Sequence, residues 1–434
     1  MKFLIVTFAP TLKKEDKFYS YAPYVYEMNI WSKHIKELGV ISPITYNDKL
    51  LLSSFSKKPT IFPIKAISFI SIQSSIISII KIPIICYRIY KAMQWADHIH
   101  LRCPGNIGLL GCIVQIFFPN KPKTVKYAGN WDPKSIQPLS YRFQKWIVSN
   151  TFLTKNAKVL VYGEWPNQSK NIVPFFTASY SEEELVNKKQ IATPPTPRNE
   201  ENKSKPESIE GDDELQEKPK SLRQAQTDNE EEQIATPPTP RNDENNSHPE
   251  LVEGFADNCI HFLFVGTLTK GKQPLLSVKV VHELKKKGYN VQLNMYGEGI
   301  ERIHIEQYIQ QNQLSKTIIL HGNASKDKVK NAYKKAHFLL FISKSEGWPK
   351  VIAEAMFWGC LPISSNVSCI PYMLGNGSRG TIVNTEIKEI VSVIEDYLKT
   401  NEKYAEQVKE AMKWSRQYTL EKFEKEIKSV LLSF

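Results

Sequence analysis

Short apolar runs alternate with longer amphipathic ones through both ends of the chain. Phe338-Leu339-Leu340-Phe341-Ile342 carries no polar residue, the pattern of a strand buried on both faces of a parallel sheet. Residues 3–9, 99–102, 125–128 and 159–162 also read as strands. Residues 22–38, 387–398 and 402–432 space their apolar positions as helices do. After the run at 338–342, Pro349 stands where a first helical residue belongs, and Gly359 stands where that helix should stop. Strands alternating with helices predict an α/β protein with parallel sheets.

Residues 66–80 are strongly apolar but lie between Lys65 and Lys81. A membrane span needs about 20 residues, so this stretch is expected to form a buried or interfacial helix, with contact to lipid as a hypothesis. The opening residues 1–10 are apolar too. Their run is short and leads into Lys13-Lys14-Glu15-Asp16, which predicts a first strand and not a signal peptide.

The middle of the chain has a different character. Residues 181–254 contain no Phe, Tyr or Trp, and the ten residues 190–199 recur at 233–242. Low hydrophobicity cannot offset the entropy of ordering, so most of this segment is expected to be disordered. Residues 221–226 and 249–254 look like translated bacterial genomic repeat elements, which suggests an insertion into an inter-domain linker. A regulatory linker is the alternative.

That segment also masks the charge of the remainder. It holds 19 acidic and nine basic side chains, which leaves a net +22 on the other 360 residues. Such a field attracts anionic ligands and surfaces. No helix-turn-helix, zinc-finger or RNP-like pattern is present to read nucleic acid, so the inner face of a bacterial membrane suits it better; a merely solvated basic surface is the alternative. At 434 residues the chain has room for two or more domains. The six cysteines show no C-x-x-C pairing and read as reduced core residues of a cytoplasmic protein.

Candidate chemistry centres on two carboxylates eight residues apart, Glu346 and Glu354. Glu346 belongs to the loop at a strand's carboxyl end, and Glu354 lies about a turn and a half into the helix that follows. Open α/β sheets bind ligands there, and free N–H groups at the helix start suit a diphosphate. A solvated loop Glu and a surface helix Glu are the plain alternative.

Around this pair, residues 259–385 resemble the donor-binding half of a retaining glycosyltransferase with the GT-B architecture, of the family 4 type (glycosyl transferases group 1). The resemblance rests on an ordered series: Phe262-Leu263-Phe264-Val265-Gly266, Tyr296-Gly297-Glu298-Gly299, Ile318-Ile319-Leu320-His321-Gly322, the Glu-x7-Glu block, then Gly359 and Pro362. It implies two Rossmann-like doubly wound domains facing across a cleft. Residues 1–180 would bind acceptor, 181–256 would be the disordered insertion, 257–415 would bind the nucleotide sugar, and a terminal helix at 416–434 would pack back toward the first domain.

The resemblance also implies roles. Glu346 would contact hydroxyls of the transferred sugar, and Glu354 the ribose. The amides of Gly347 and Trp348 would face the diphosphate, with Gly266, Gly297, Glu298 and Lys350 close by. Family members carry Arg and Lys after the first strand. Here Thr267 takes the Arg position and Lys272 matches the Lys, with Lys270 either supplying the missing charge or being a solvated lysine. In the first half the resemblance is looser. A His usual after the strand at 125–127 is missing, and Asn130 or Asp132 would take its contact while Trp131 stacks on a sugar. A Gly-Asn turn with a core Trp is the alternative. Arg102 would face the diphosphate or an acidic acceptor, or else form a structural ion pair. His98 and His100, with no third ligand at metal spacing, read as packing residues.

The expected activity is therefore transfer of a sugar from a nucleotide-diphosphate donor to a glycan or lipid-linked acceptor in envelope or exopolysaccharide synthesis. No cofactor, metal or nucleic acid is expected, and the setting is the cytoplasm, peripheral at the inner face of the membrane. A GT-B sugar-nucleotide epimerase and a non-catalytic sugar-nucleotide-binding protein are the alternatives.

Overall fold

Among the described residues, the first half of the chain supplies β1 (Lys2–Val6), β2 (Leu12–Lys14), β3 (Lys17–Tyr21), β4 (Glu37–Pro43), β5 (Leu52–Ser54), β6 (Thr60–Ile64), β7 (His98–Cys103), β8 (Lys123–Tyr127), β9 (Ala157–Tyr162) and β10 (Ile172–Phe175). The second half supplies β11 (Ile260–Val265), β12 (Val291–Tyr296), β13 (Ile318–Gly322), β14 (Phe338–Phe341), β15 (Leu361–Ser365) and β16 (Thr381–Val383). This computed structural model describes residues 1–44, 51–186 and 259–434. The two sequence repeats and nearly all of the expected disordered insertion lie outside the described residues.

Two parallel sheets organise the molecule. The N-lobe sheet has the order β10-β9-β8-β7-β1-β4-β6 and the C-lobe sheet β13-β12-β11-β14-β15-β16. A small antiparallel sheet, β2-β3-β5, flanks the first. Each large sheet reverses its winding once, between β1 and β7 in the N-lobe and between β11 and β14 in the C-lobe. A crevice opens outside the strand carboxyl ends at such a reversal. The apolar run recognised in the sequence is β14, whose four residues are all buried. This is the two-domain GT-B architecture.

Some elements differ from their sequence outlines. The first helix covers Ala22–Ser32 and stops there because residues 37–43 are needed as β4. The apolar stretch at 66–80 becomes the start of a longer helix, Ile72–Trp95, begun by a capping box between Ser71 and Ser74. Pro349 is the cap preceding the Lys350–Trp358 helix and not its first residue, while Gly359 ends that helix in the left-handed region, φ 84°. Residues 402–432 form two helices, Asn401–Ser415 and Leu420–Leu432. The break comes where the Thr419 hydroxyl accepts the Lys422 N–H and starts a new helix.

The final helix returns to the N-lobe. Phe423 packs on Phe175 and Phe176 with ring centroids 5.6 and 5.7 Å away. Glu424 pairs with Lys33 at 2.6 Å, and Phe434 sets its ring edge against His98. Residues 181–186 are packed too: Glu184 pairs with Lys330 at 2.9 Å, and the Glu182 N–H donates to Glu421. His98 and His100 are buried, both bonded to the Thr124 hydroxyl. Cys103, Cys112, Cys360 and Cys369 are buried thiols.

Candidate functional site

Three glycines end neighbouring C-lobe strands. Gly266 follows β11, Gly297 follows β12 and Gly322 closes β13, all with positive φ. Gly266 donates its N–H to the Tyr296 carbonyl, and Gly297 donates to the Gly322 carbonyl. A Cβ on Gly297 would sit 1.9 Å from the Gly266 oxygen, so only glycine lets these turns touch. Thr267 and Leu268 are thereby clamped to the next turn: the Leu268 N–H donates to the Glu298 carbonyl and the Glu301 N–H to the Leu268 carbonyl. The Glu298 side chain turns away to pair with Arg302.

The loop after β11 also meets the loop after β14. The Lys344 N–H donates to the Gly271 carbonyl at 2.8 Å, and Lys272 forms an ion pair with Glu346. Glu346 is nearly buried, its side chain 7% exposed against 26% for Lys272. The Lys272 ammonium also lies 5.0 Å from the Phe341 ring centre. A cation and a carboxylate therefore sit at the C-lobe reversal, just before the free N–H groups of the Lys350–Trp358 helix. Thr267 and Lys270 are exposed. Lys270 lines a depression shared with Gln273, Lys344 and Glu386, so it does not join Lys272.

Glu354 takes different partners. One carboxylate oxygen accepts from the Ser179 hydroxyl at 2.6 Å and the other from the Tyr333 hydroxyl at 3.2 Å. It ties the segment that crosses between lobes to the C-lobe helices. Trp348 is buried against Tyr162, Trp414 and Tyr418. The Gly347 carbonyl accepts from Ser368 and Cys369. Burial pushes the Cys369 thiol up to about 12, which leaves it without nucleophilic character at neutral pH.

The N-lobe closes over this loop. A Cβ on Gly347 would lie 2.7 Å from the Ala128 oxygen, so the Glu346-Gly347 turn rests against the backbone just before Asn130. The Asn130 side chain accepts the Asp132 N–H, and Asp132 accepts the Lys134 N–H. These side chains shape a tight turn. The stacking platform expected of Trp131 is corrected: the ring is 3% exposed, bonds Gln168 through Nε1, and is covered by Tyr127 and Lys145. Its apolar bulk is worth more in the core than at a wet cleft.

Arg102 forms the ion pair held open as its alternative, with Glu27 at 2.9 Å, and stacks over Tyr24. Glu27 was not singled out in the sequence, although a carboxylate among Tyr24, Val25 and Met28 on an apolar helix face is the signal that marks it. Lys126 was missed as well, a cation inside a buried strand. Its ammonium lies 4.4 Å from the Tyr162 ring centre and 4.6 Å from that of Phe175, and it donates to the Phe176 carbonyl. Burial lowers Lys126 to about 7, with partial relief from Glu27. Burial raises Glu27, but Arg102, Lys126 and Lys350 outweigh it and hold the carboxyl at about 2. Lys350 thus carries the C-lobe's field into this N-lobe cluster. Among the described residues no three His, Cys, Asp or Glu side chains gather as a metal site.

The model of the family described as glycosyl transferases group 1 matches residues 252–414. A search of curated proteins finds no match. Among solved structures, HepE of Anabaena in complex with UDP and glucose is similar over the whole of both chains, with TM-score 0.59 and 12% identity. Sucrose-phosphate synthase of Thermosynechococcus elongatus matches with TM-score 0.60 and 12% identity, covering 99% of this chain and 98% of the other. A glycosyltransferase of Rickettsia africae matches with TM-score 0.57 and 14% identity, covering 100% and 99%.

Proposed function

Because residues 252–414 match the model of the glycosyl transferases group 1 family and both lobes take the GT-B fold, we propose that the protein is a retaining glycosyltransferase. It moves a sugar, hexose-like in size, from a nucleotide diphosphate to a glycan or lipid-linked acceptor, at the cytoplasmic face of the membrane during envelope or exopolysaccharide synthesis. No metal takes part. The observation that carries this reading is the Lys272–Glu346 pair at the C-lobe reversal, set before a helix N-terminus.

The pair is a resting state. A donor diphosphate brings negative charge to the helix start, and Lys272 turns from Glu346 to that charge. Glu346 is then free to accept hydrogen bonds from sugar hydroxyls. As the bond between C1 and the phosphate oxygen breaks, Lys272 and the helix N-terminus stabilise the leaving phosphate. The acceptor hydroxyl attacks C1 from the same face, and its proton passes to the departing phosphate oxygen. The contact between Gly347 and Ala128 means that donor enters when the lobes part, and that their return excludes water.

Thermal-shift titration with UDP-, GDP- and ADP-sugars tests the reading, since a ligand bound only by the native state stabilises by about 2.7 kcal/mol at 100 times its Kd. One nucleotide sugar is expected to raise Tm and to be consumed only with acceptor present, giving a product of the donor's anomeric configuration. Failure of every nucleotide sugar to bind would overturn the proposal. Donor converted without acceptor would indicate an epimerase, and donor bound without turnover a binding protein.

A further inference from the structure

On the reading that the acceptor is lipid-linked, we propose that the outward faces of two N-lobe helices, Ile72–Trp95 and Leu139–Ser149, dock on an anionic lipid bilayer and open the N-lobe crevice onto it.

The first helix is apolar on two opposite sides. Ile85, Ile89, Ala92 and Met93 are buried and pack toward β1, β4 and β6. Ile72, Ile76, Ile80, Ile84 and Tyr87 recur three or four residues apart and all are exposed, Ile72 by 84% and Ile80 by 70%. The second helix repeats the arrangement with exposed Leu139, Phe143 and Trp146. An apolar surface of this extent marks a binding face.

Charge selects the occupant. Between Asp48 and Glu164 the chain carries 16 Lys and Arg and two acidic residues, Asp97 and Asp132. Lys65, Lys81 and Lys91 lie on or beside the first helix, and Arg142 on the second. Apolar side chains ringed by cations, with Trp and Tyr among them, suit the headgroup boundary of an anionic membrane. By length and composition the 24-residue helix is able to cross a bilayer. It lies on the surface instead, because its second half is part of the N-lobe core and Arg88 donates to the Pro63 carbonyl.

The crevice at the β1/β7 reversal supplies the reason for docking. A cavity of about 260 Å³ is lined by Phe8, Pro43, Ile67, Pro104, Asn106 and Tyr141. Ile67 precedes the first helix and Tyr141 belongs to the first turn of the second, so the cavity lies beside the start of both helices. A lipid-linked sugar held in the bilayer presents its polar head there.

Flotation of the full chain with phosphatidylcholine vesicles, with and without phosphatidylglycerol, tests the proposal. Binding should need phosphatidylglycerol and weaken with salt. The pairs Ile76→Gln with Ile80→Gln, and Lys81→Glu with Lys91→Glu, should each lower it roughly tenfold while leaving the nucleotide-sugar thermal shift unchanged. Wild-type protein that stays unbound, or variants that float as well as wild type, would overturn the inference. So would a dimer that Ile76→Gln with Ile80→Gln dissolves without any vesicle binding. The two readings fail separately: vesicle binding with no nucleotide-sugar binding refutes the transferase alone, and the converse refutes the docking face alone.

Discussion

Lys272 and Glu346, 74 residues apart in the chain, meet as an ion pair at the carboxyl ends of neighbouring strands β11 and β14. Each neutralises the other until a ligand competes. Substituting either side chain should lower the transfer rate by about 10²-fold or more, the usual cost of removing a group that stabilises the departing charge. Lys272→Ala should also reduce stability, because it leaves a nearly buried carboxylate unpaired, whereas Glu346→Gln should melt close to wild type. Rate measurements beside thermal melts check both; wild-type turnover in both variants rules out the assignment.

Gly347 meets the Ala128 carbonyl across the cleft with no room for a Cβ. Gly347→Ala should keep the N-lobe from seating while the C-lobe still takes up donor. Calorimetry is expected to show donor affinity within about threefold of wild type, and steady-state kinetics a much larger fall in kcat. A variant with wild-type kcat would show that this contact plays no part in closure.

Glu354 is held by Ser179 and Tyr333, although family resemblance assigns it to ribose. A double-mutant cycle with Ser179→Ala and Glu354→Gln decides between a brace and a ligand contact. A brace gives a coupling of about 0.5–3 kcal/mol in unfolding free energy with little change in donor affinity. A ligand contact gives the reverse: weaker donor binding and no coupling.

Stability should fall on acidification. Burial holds His98 at about 3, below its ordinary 6.5, so the unfolded chain binds a proton between those values that the native state refuses. Glu27, held at about 2 against 4.5, acts in the same direction. The Glu27 contribution is present at neutral pH and is lost as pH falls from about 4.5 to 2, whereas His98 costs nothing at neutral pH and destabilises the native state as pH falls from about 6.5 to 3. Lys126, at about 7 against 10.5, disfavours the native state below pH 7, and that cost is relieved as pH rises toward 10.5. Melting temperature against pH should therefore drop most steeply on the acid side. His98→Gln should flatten the decline between pH 6.5 and 3; an unchanged profile would remove His98 as a cause.

The local pattern of residues was enough to determine the parallel α/β class, the position of Glu346 in a loop after a buried strand, the stop at Gly359 and the packing role of the strand histidines. Each follows from side-chain periodicity or backbone freedom within a few residues. Tertiary structure alone decided the partners: Lys272 with Glu346, Arg102 with Glu27, Glu354 with Ser179, and Trp131 buried against Tyr127. It also divided residues 402–432 into two helices, because the Leu420 N–H goes to the Tyr180 carbonyl of the crossing segment. Those contacts join residues distant in sequence through the order of strands in the sheets, and strand order leaves no trace in local periodicity.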